Sequence, residues 1–286
     1  VLFRSDLMET SVSHQAYEAS RLDDSETHKM LSKTYPYTIL ITEDDDEVRC
    51  FLERELSPHF KTRTAANGKD ALRVLEEEEI SLVVSDVMMP EMNGFELCRM
   101  IKSQLPFSHI PVILLTALTD ERQRIFGITG GADDYIQKPF HTDYVKIKII
   151  HLLQERQKLR ERLLEKLRDN KLLLSEPEKV ESIDDAFLRK FAEQIEAVYA
   201  DPEYNVEKLS ETLGLSRGHL HRKIKELTGT APVEFLRTYR LNKATQLLRQ
   251  NAYTVSEVAY RTGFSSPAYF SKCFKAVYGV TPTEYQ

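Results

Sequence analysis

The stretch Val83–Leu97 reads VVSDVMMPEMNGFEL: a short apolar run, a carboxylate directly after it, a polar turn, and the start of a helical period. A short apolar run bounded by turn residues fits a buried strand, and the helix it leads into is expected over about Phe95 to Gln104. The same order recurs on both sides. Apolar runs at Ile39–Ile41, Leu82–Val84, Val112–Leu115 and Tyr135–Ile136 alternate with helical periods at about Glu47–Leu56, Lys69–Glu78 and Glu121–Gly127. The less apolar Lys61–Thr64 adds a fifth strand. Alternating strands and helices predict an α/β domain, a doubly wound five-stranded parallel sheet.

Polar residues fall directly after these runs: Glu43 and Asp44, then Asp86, then Thr116, then Lys138 before Pro139. In a parallel sheet all of these positions lie on one edge, where open sheets bind ligands near a topological switch point. Three carboxylates, a hydroxyl and an ammonium should therefore share one pocket. Carboxylates crowded this closely repel one another, and a hard dication such as Mg2+ relieves the strain. Mg2+ keeps positions for phosphate oxygens, so a carboxylate beside it can attack a phosphoryl group to form an acyl phosphate. Lys138 would act on that phosphate as a point charge. Taken singly, each residue has a plainer reading: Glu43–Glu47 as a solvated helix start, Thr116 as a strand-end cap, Lys138 as a surface lysine. Their joint placement at successive strand ends decides for a site.

The stretches ILITEDDDE, VVSDVMMPEMNGFEL, IPVILLTA and GADDYIQKPF, in this order from about Tyr37 to Leu153, resemble the receiver domain of bacterial response regulators, a flavodoxin-like fold. The resemblance implies that Asp86 is the phosphoacceptor and that a histidine kinase is the phosphodonor. It also implies that Asp44, Asp86 and the Met88 carbonyl bind Mg2+ and that Glu43 holds the metal through water. Thr116 and Tyr135 match a switch pair, a hydroxyl drawn to the phosphate and an aromatic ring that rotates as it moves.

Residues 154–183 read as a helical linker, rich in Leu, Lys, Arg and Glu, within a single helix expected from about Lys146 to Leu174. Ile149, Leu152, Leu159 and Leu163 approach a heptad seam that Arg156 interrupts. Two readings stay open, a helix packed on the receiver and a dimer-forming extension; a helix lying on a membrane is a third that its acids disfavour. Residues 1–36, opening on Val1 and polar without a sustained period to about Thr34, read as a linker with a truncated start. Cys50, Cys98 and Cys273 are odd in number and scattered, which fits neither a disulfide framework nor a zinc site, and they read as reduced packing residues.

From Asn205 one pattern appears twice. VEKLSETLGLS at Val206–Ser216 matches VSEVAYRTGFS at Val255–Ser265, and LTGTAPVEF at Leu227–Phe235 matches VYGVTPTEY at Val277–Tyr285. Each copy reads as a helix, a turn at Gly214 or Gly263, and a second helix starting near Ser216 or Ser266, the helix-turn-helix pattern. In the first second-helix Leu220, Ile224 and Leu227 form the expected buried stripe, leaving His219, His221, Arg222 and Lys225 for DNA. In the other, Phe270, Phe274 and Val277 are expected inside and Ser271, Lys272 and Lys275 outside. Charge agrees with this division: Asp and Glu number 20 against 11 Lys and Arg over Tyr37–Val145, but 8 against 12 over Asp201–Gln286. A basic half suits a polyanion.

GFSSPAYFSKCFKAVYGVTPTEY, at Gly263–Tyr285, and its flanks resemble the AraC-type DNA-binding domain, assigned here to residues 184–286. The resemblance implies two helix-turn-helix units, joined by a long helix over about Pro232–Arg249, entering successive major grooves of double-stranded DNA. By position His221, Arg222, Ser271 and Lys272 form the base-facing set.

A receiver followed by such a domain resembles the C-terminal output of hybrid two-component systems, whose sensor and kinase lie upstream in one polypeptide, the parent protein anchored in the inner membrane. A free-standing response regulator is the alternative. An enzyme of the same fold using Asp86, such as a phosphatase, finds no accompanying base, cap domain or nucleotide loop. A purely structural coupling module is a further rival. No apolar run approaches the roughly 20 residues that cross a bilayer, so this chain is expected to be cytoplasmic, without membrane contact, and a homodimer when phosphorylated.

Overall fold

A computed structural model of the chain describes residues 29–117, 131–168 and 182–286, with backbone alone over 162–168. It divides into two compact units, one ending at Arg156 and the other beginning at Gln157. The first is built on strands β1 (Thr38–Thr42), β2 (Lys61–Ala65), β3 (Leu82–Asp86), β4 (Val112–Thr116) and β5 (Asp134–Gln137). All neighbours pair in parallel, in the order β2-β1-β3-β4-β5. Between them run helices α1 (Asp46–Leu56), α2 (Gly68–Glu77) and α3 (Gly94–Ser103), and α4 (Thr142–Arg168) follows β5. The helix expected over Glu121–Gly127 lies outside the described residues.

The alternation of side chains along a strand sorts this sequence into two cores. Ile39, Ile41, Val84, Ile113 and Leu115 pack with Leu52 and Leu56 of α1 and with Val145, Ile149 and Leu153 of α4 on one face of the sheet. Leu40, Val83, Val112 and Leu114 pack with Ala71 and Leu75 of α2 and Leu97, Cys98 and Ile101 of α3 on the other. Both faces are covered, so the central strands are buried along their length, as their near-continuous apolar runs require. The early part of α4 is thus the receiver's own covering helix: Ile149 is buried in the core and Leu152 packs against it. Leu159 is 62% exposed, and the Leu163 side chain falls outside the described residues. Cys98 and Cys273 are buried, but Cys50 is exposed, contrary to its reading as a packing residue. Leu52 and Leu56 fix the inward face of α1, and Cys50 lies off it.

The second unit is helical: α5 (Ile183–Val198), α6 (Val206–Thr212), α7 (Arg217–Thr228), α8 (Pro232–Arg249), α9 (Val255–Arg261), α10 (Pro267–Tyr278) and α11 (Pro282–Tyr285). The sequence repeat becomes a structural one. Asn205 and Thr254 cap the two seven-residue helices, and Ser216 and Ser266 cap the two twelve-residue helices, each side-chain oxygen taking a backbone N–H three residues on. Helix α8 joins the copies. Its Phe235 meets Phe191 of α5 edge-on at 4.7 Å between ring centroids, and Leu241, Ala244 and Leu248 enter the core of the second copy.

Two burial patterns differ from the sequence reading. Val277 is 51% exposed, and Cys273 takes the inward position with Phe270 and Phe274. Helix α10 ends at Tyr278, one residue later, and there Tyr278 turns back to give its hydroxyl to Asn242 Oδ1 at 2.7 Å. In α7 the buried set is Leu220, Lys223, Ile224 and Thr228, while Leu227 is only half-buried. Lys223 is fully buried: its ammonium donates to Asp184 Oδ1 at 2.6 Å and lies 5.1 Å from the centre of the Phe187 ring.

A buried ion pair is costly to break from one side, because the remaining charge keeps its desolvation penalty. Asp184→Ala should therefore destabilise the second unit by about 3 kcal/mol, whereas Lys223→Met, which removes the charge itself, should cost clearly less. Urea unfolding of the full chain, followed through the transition of that unit, measures the difference; equal losses would contradict it.

Candidate functional site

The five consecutive acids Glu43–Glu47 are divided by the turn that ends β1. Asp45 caps α1, accepting from the N–H groups of Glu47 and Val48, and Asp46 and Glu47 occupy the first helical turn, where negative charge suits the helix dipole. Glu43 and Asp44 are left facing the sheet edge. The Arg49 guanidinium reaches back from α1 to the Glu43 carbonyl at 2.7 Å and fixes this turn. The strand order places the connections from β1 and β3 on opposite sides, so the C-terminal ends of these two strands form the switch-point crevice. Asp86 ends β3 beside it.

Carboxylate oxygens of Glu43, Asp44 and Asp86 lie within 4.8 Å of one another. Glu43 and Asp86 are buried and Asp44 is exposed, so the cluster opens to solvent on one side. The Lys138 ammonium stands 2.8 Å from Glu43 Oε2 and 3.0 Å from Asp86 Oδ1. Its position follows from the end of β5, where the Lys138 N–H donates to the Thr116 carbonyl at 2.7 Å. Burial raises the Glu43 carboxyl above the usual glutamate range, the Lys138 hydrogen bond opposes it, and the charge of Asp86 adds to it. Burial alone would lower Lys138, but its hydrogen bond to Glu43 and the nearby charge of Asp86 prevail and hold it above the usual lysine value.

The donor set fits a hard dication. It offers three oxygen ligands, one of them solvent-facing, whose repulsion a single ammonium already offsets in part. Glu43, Asp44 and Asp86 would hold it. Met88 lies two residues past β3 and is 67% exposed. Thr116 ends β4 in register with Gln137. Tyr135, three residues before Lys138, is half-buried among the residues covering α3, and its hydroxyl is pushed up to about 12, by burial first and the neighbouring Cys98 second. All the residues expected at this edge except Tyr135 thus lie at or just beyond strand ends.

The sequence reading did not single out Gly94, which shapes the site. A Cβ on Gly94 would stand 2.1 Å from the Asp86 carbonyl oxygen, and the Gly94 N–H donates to Val87 at 3.0 Å. The first turn of α3 is therefore seated directly on the backbone that carries Asp86. A glycine opening a helix just after a strand-end carboxylate is the signal for such a contact.

In the second unit the expected DNA-facing residues divide by exposure. His221, Lys225, Lys272 and Lys275 are exposed, and Arg222 and Ser271 are half-buried. His219 is half-buried with its Nε2 enclosed, which turns that ring toward the protein. The basic side chains occupy the outer faces of α7 and α10, the second helices of the two repeats.

Comparison with known proteins agrees with this division. A response regulator receiver domain matches residues 39–150, and a helix-turn-helix domain matches residues 209–286. Over 265 residues, 93% of this chain, the sequence is 37% identical to Histidine kinase P4 of Formosa agariphila. Over 121 residues, 42% of the chain, it is 43% identical to Transcriptional regulatory protein GltR of Pseudomonas aeruginosa. The chain spans only 19% of the former and 50% of the latter. Among solved structures, the signal receiver domain of a signal transduction histidine kinase from Syntrophus aciditrophicus is 38% identical, covering 42% of this chain and 91% of that one with a TM-score of 0.40. The chain carries a response-regulator receiver domain followed by a helix-turn-helix domain of the AraC type.

Because Lys138 shares Glu43 and Asp86 with any bound dication, the two cations compete. A unit charge about 4 Å away contributes several kcal/mol at an effective dielectric of about 20. Asp44→Asn should weaken Mg2+ binding by at least about tenfold, roughly 1.4 kcal/mol, while Lys138→Ala should strengthen it. Calorimetric titration of the full chain with Mg2+ reads both signs, and weaker binding in Lys138→Ala would overturn this electrostatic account.

Proposed function

We propose that this chain is the phosphorylation-controlled, DNA-binding output of a two-component phosphorelay. The observation that carries the reading is the placement of Asp86: a single strand-end carboxylate, 7% exposed, beside two further carboxylates and an ammonium, in a chain that also holds two helix-turn-helix units. An Asp86 oxygen attacks the phosphorus of a phosphohistidine on a histidine kinase. The new bond is Asp86 O–P, the bond that breaks is P–N, and the electron pair leaves with the imidazole, which takes a proton. A bound Mg2+ supplies charge neutralisation for the phosphoryl oxygens and the carboxylates. Lys138, already 3.0 Å from Asp86, ion-pairs with the acyl phosphate, and Thr116 offers its hydroxyl from the adjacent strand end. Tyr135 follows Thr116 as the second member of the switch pair.

The signal then has to change how the second unit meets double-stranded DNA, through dimerisation or through exposure of α7 and α10. Alignment with 93% of this chain inside a histidine kinase supports the reading that the phosphodonor belongs to the same polypeptide; a separate kinase acting on a free-standing regulator is the alternative. Among the described residues no helix is long and apolar enough to cross a membrane. The place of action proposed for this chain is the cytoplasm, where DNA and the kinase meet.

Incubating the chain with Mg2+ and a small acyl-phosphate donor should add one phosphoryl group, detected by intact mass and by hydroxylamine lability. Asp86→Asn should abolish it, and phosphorylation that persisted in this variant would sink the assignment.

A further inference from the structure

Between the two helix-turn-helix copies lies a groove of about 290 Å3. Arg217, the first residue of α7, and Tyr269, in the first turn of α10, both line it. The floor is α8, through Leu236, Arg237 and Arg240. The floor and one wall are fixed by contacts within the unit. Arg240 gives Nε to the Tyr199 carbonyl and a terminal nitrogen to the Asp201 carbonyl, both at 2.7 Å. Gly263, at φ +79°, is pressed so close that a Cβ would come within 2.1 Å of the Tyr199 carbonyl oxygen.

Arg217 and Arg237 are placed differently. Their side chains are 72% and 37% exposed; Arg217 is held by the partly exposed Glu207 at 2.7 Å, and Arg237 by Glu234 at 3.0 Å and by the Tyr269 side chain. Exposed pairs of this kind contribute little to folding. They do hold two guanidinium groups at the groove, beside the half-exposed Tyr269. Guanidinium forks and hydroxyl donors are the groups that hold phosphate oxygens.

Recognition helices bring their N-terminal residues to the base edges. Residues from the N-terminal turns of α7 and α10 line the groove together, so a duplex that received both helices in successive major grooves would bring its intervening backbone toward it. We propose that the groove seats that phosphodiester segment, with Arg217 and Arg237 paired to phosphate oxygens and Tyr269 donating its hydroxyl. The proposal rests on the DNA-binding reading above and adds a contact set to it. Arg237 lies on α8, outside the helices from which DNA contacts were expected, and Arg217 and Tyr269 lie one turn before the expected His221 and Lys272.

The carboxylates give the test its sign. On the free protein Glu207 occupies Arg217; against DNA it repels the phosphate that takes its place. Full-length variants are assayed by fluorescence anisotropy across a salt series, on a duplex recovered by selection with the wild-type chain and on a scrambled duplex. Arg217→Gln and Arg237→Gln should each weaken both duplexes by the same severalfold factor and lower the slope of log K against log salt by about 0.9. Glu207→Gln should tighten both. Replacing the bridging phosphates by neutral methylphosphonates should weaken wild type more than either Arg217→Gln or Arg237→Gln.

A salt slope unchanged in both arginine variants, or a loss confined to the selected duplex, would overturn the proposal, as would weaker binding by Glu207→Gln. Stabilisation of wild type by a small organic anion, lost in both arginine variants with the slope unchanged, would overturn it in favour of a small-ligand pocket. If wild type binds DNA and Arg222→Ala shifts its base preference while these slopes stand still, the groove alone fails. If wild type binds no duplex, the DNA-binding reading fails and the groove proposal with it.

Discussion

Glu43, Asp44 and Asp86 bring three carboxylates within 4.8 Å of one another at the end of a buried sheet, and the ammonium of Lys138 lies 2.8 Å from one and 3.0 Å from another. The first unit depends on holding this concentration of like charge. The apolar strands leave no alternative position for Asp86, since Val83 and Val84 lock β3 into both cores and Gly94 presses on the Asp86 backbone. The remaining charge can be relieved from the open side by a cation. A pocket so arranged is responsive by construction, because any change in its net charge alters the force on Lys138 and on the strand end that carries it.

The second unit solves a different problem by repetition. Each helix-turn-helix copy buries a small aromatic and aliphatic core, and each presents one twelve-residue helix capped by serine. Neither copy is self-contained: α8 contributes Phe235 and Leu236 near the first and Leu241, Ala244 and Leu248 to the second. This shared helix sets the spacing of the two recognition helices, and so the spacing of the DNA grooves they can enter. Gly263 and Arg240 close the second copy onto the C-terminal end of α5, so the helix that opens the unit also bears on the groove between the copies.

Much of this was legible in the sequence where one side chain has one job. Four of the five described strands fall on the expected apolar runs and the fifth on the less apolar Lys61–Thr64, and the expected site residues fall at or just beyond the strand ends, because burial on both faces of the central strands leaves charged residues no other place. Features that depend on a partner distant in sequence were not legible. Lys223 looks like any basic residue of a recognition helix until Asp184 and Phe187 enclose it. Val277 fits a helical stripe, yet the helix ends one residue later and its place is not covered. The run Glu43–Glu47 gives no hint of which acids cap α1 and which face the pocket; that division is set by the turn and by Arg49.

The central claim is that the charge state of the Asp86 pocket governs DNA binding by the second unit. A receiver can do this only by favouring one arrangement of the chain over another, so the coupling must appear as a difference in binding free energy. The direct measurement is the affinity of the full chain for a selected duplex, with and without beryllofluoride and Mg2+ as a stable phosphate mimic, paired with sedimentation of the same samples. The account predicts tighter binding or a shift to dimer when the mimic is present, and no change in Asp86→Asn. Equal affinity and equal sedimentation with Asp86 fully loaded would contradict it.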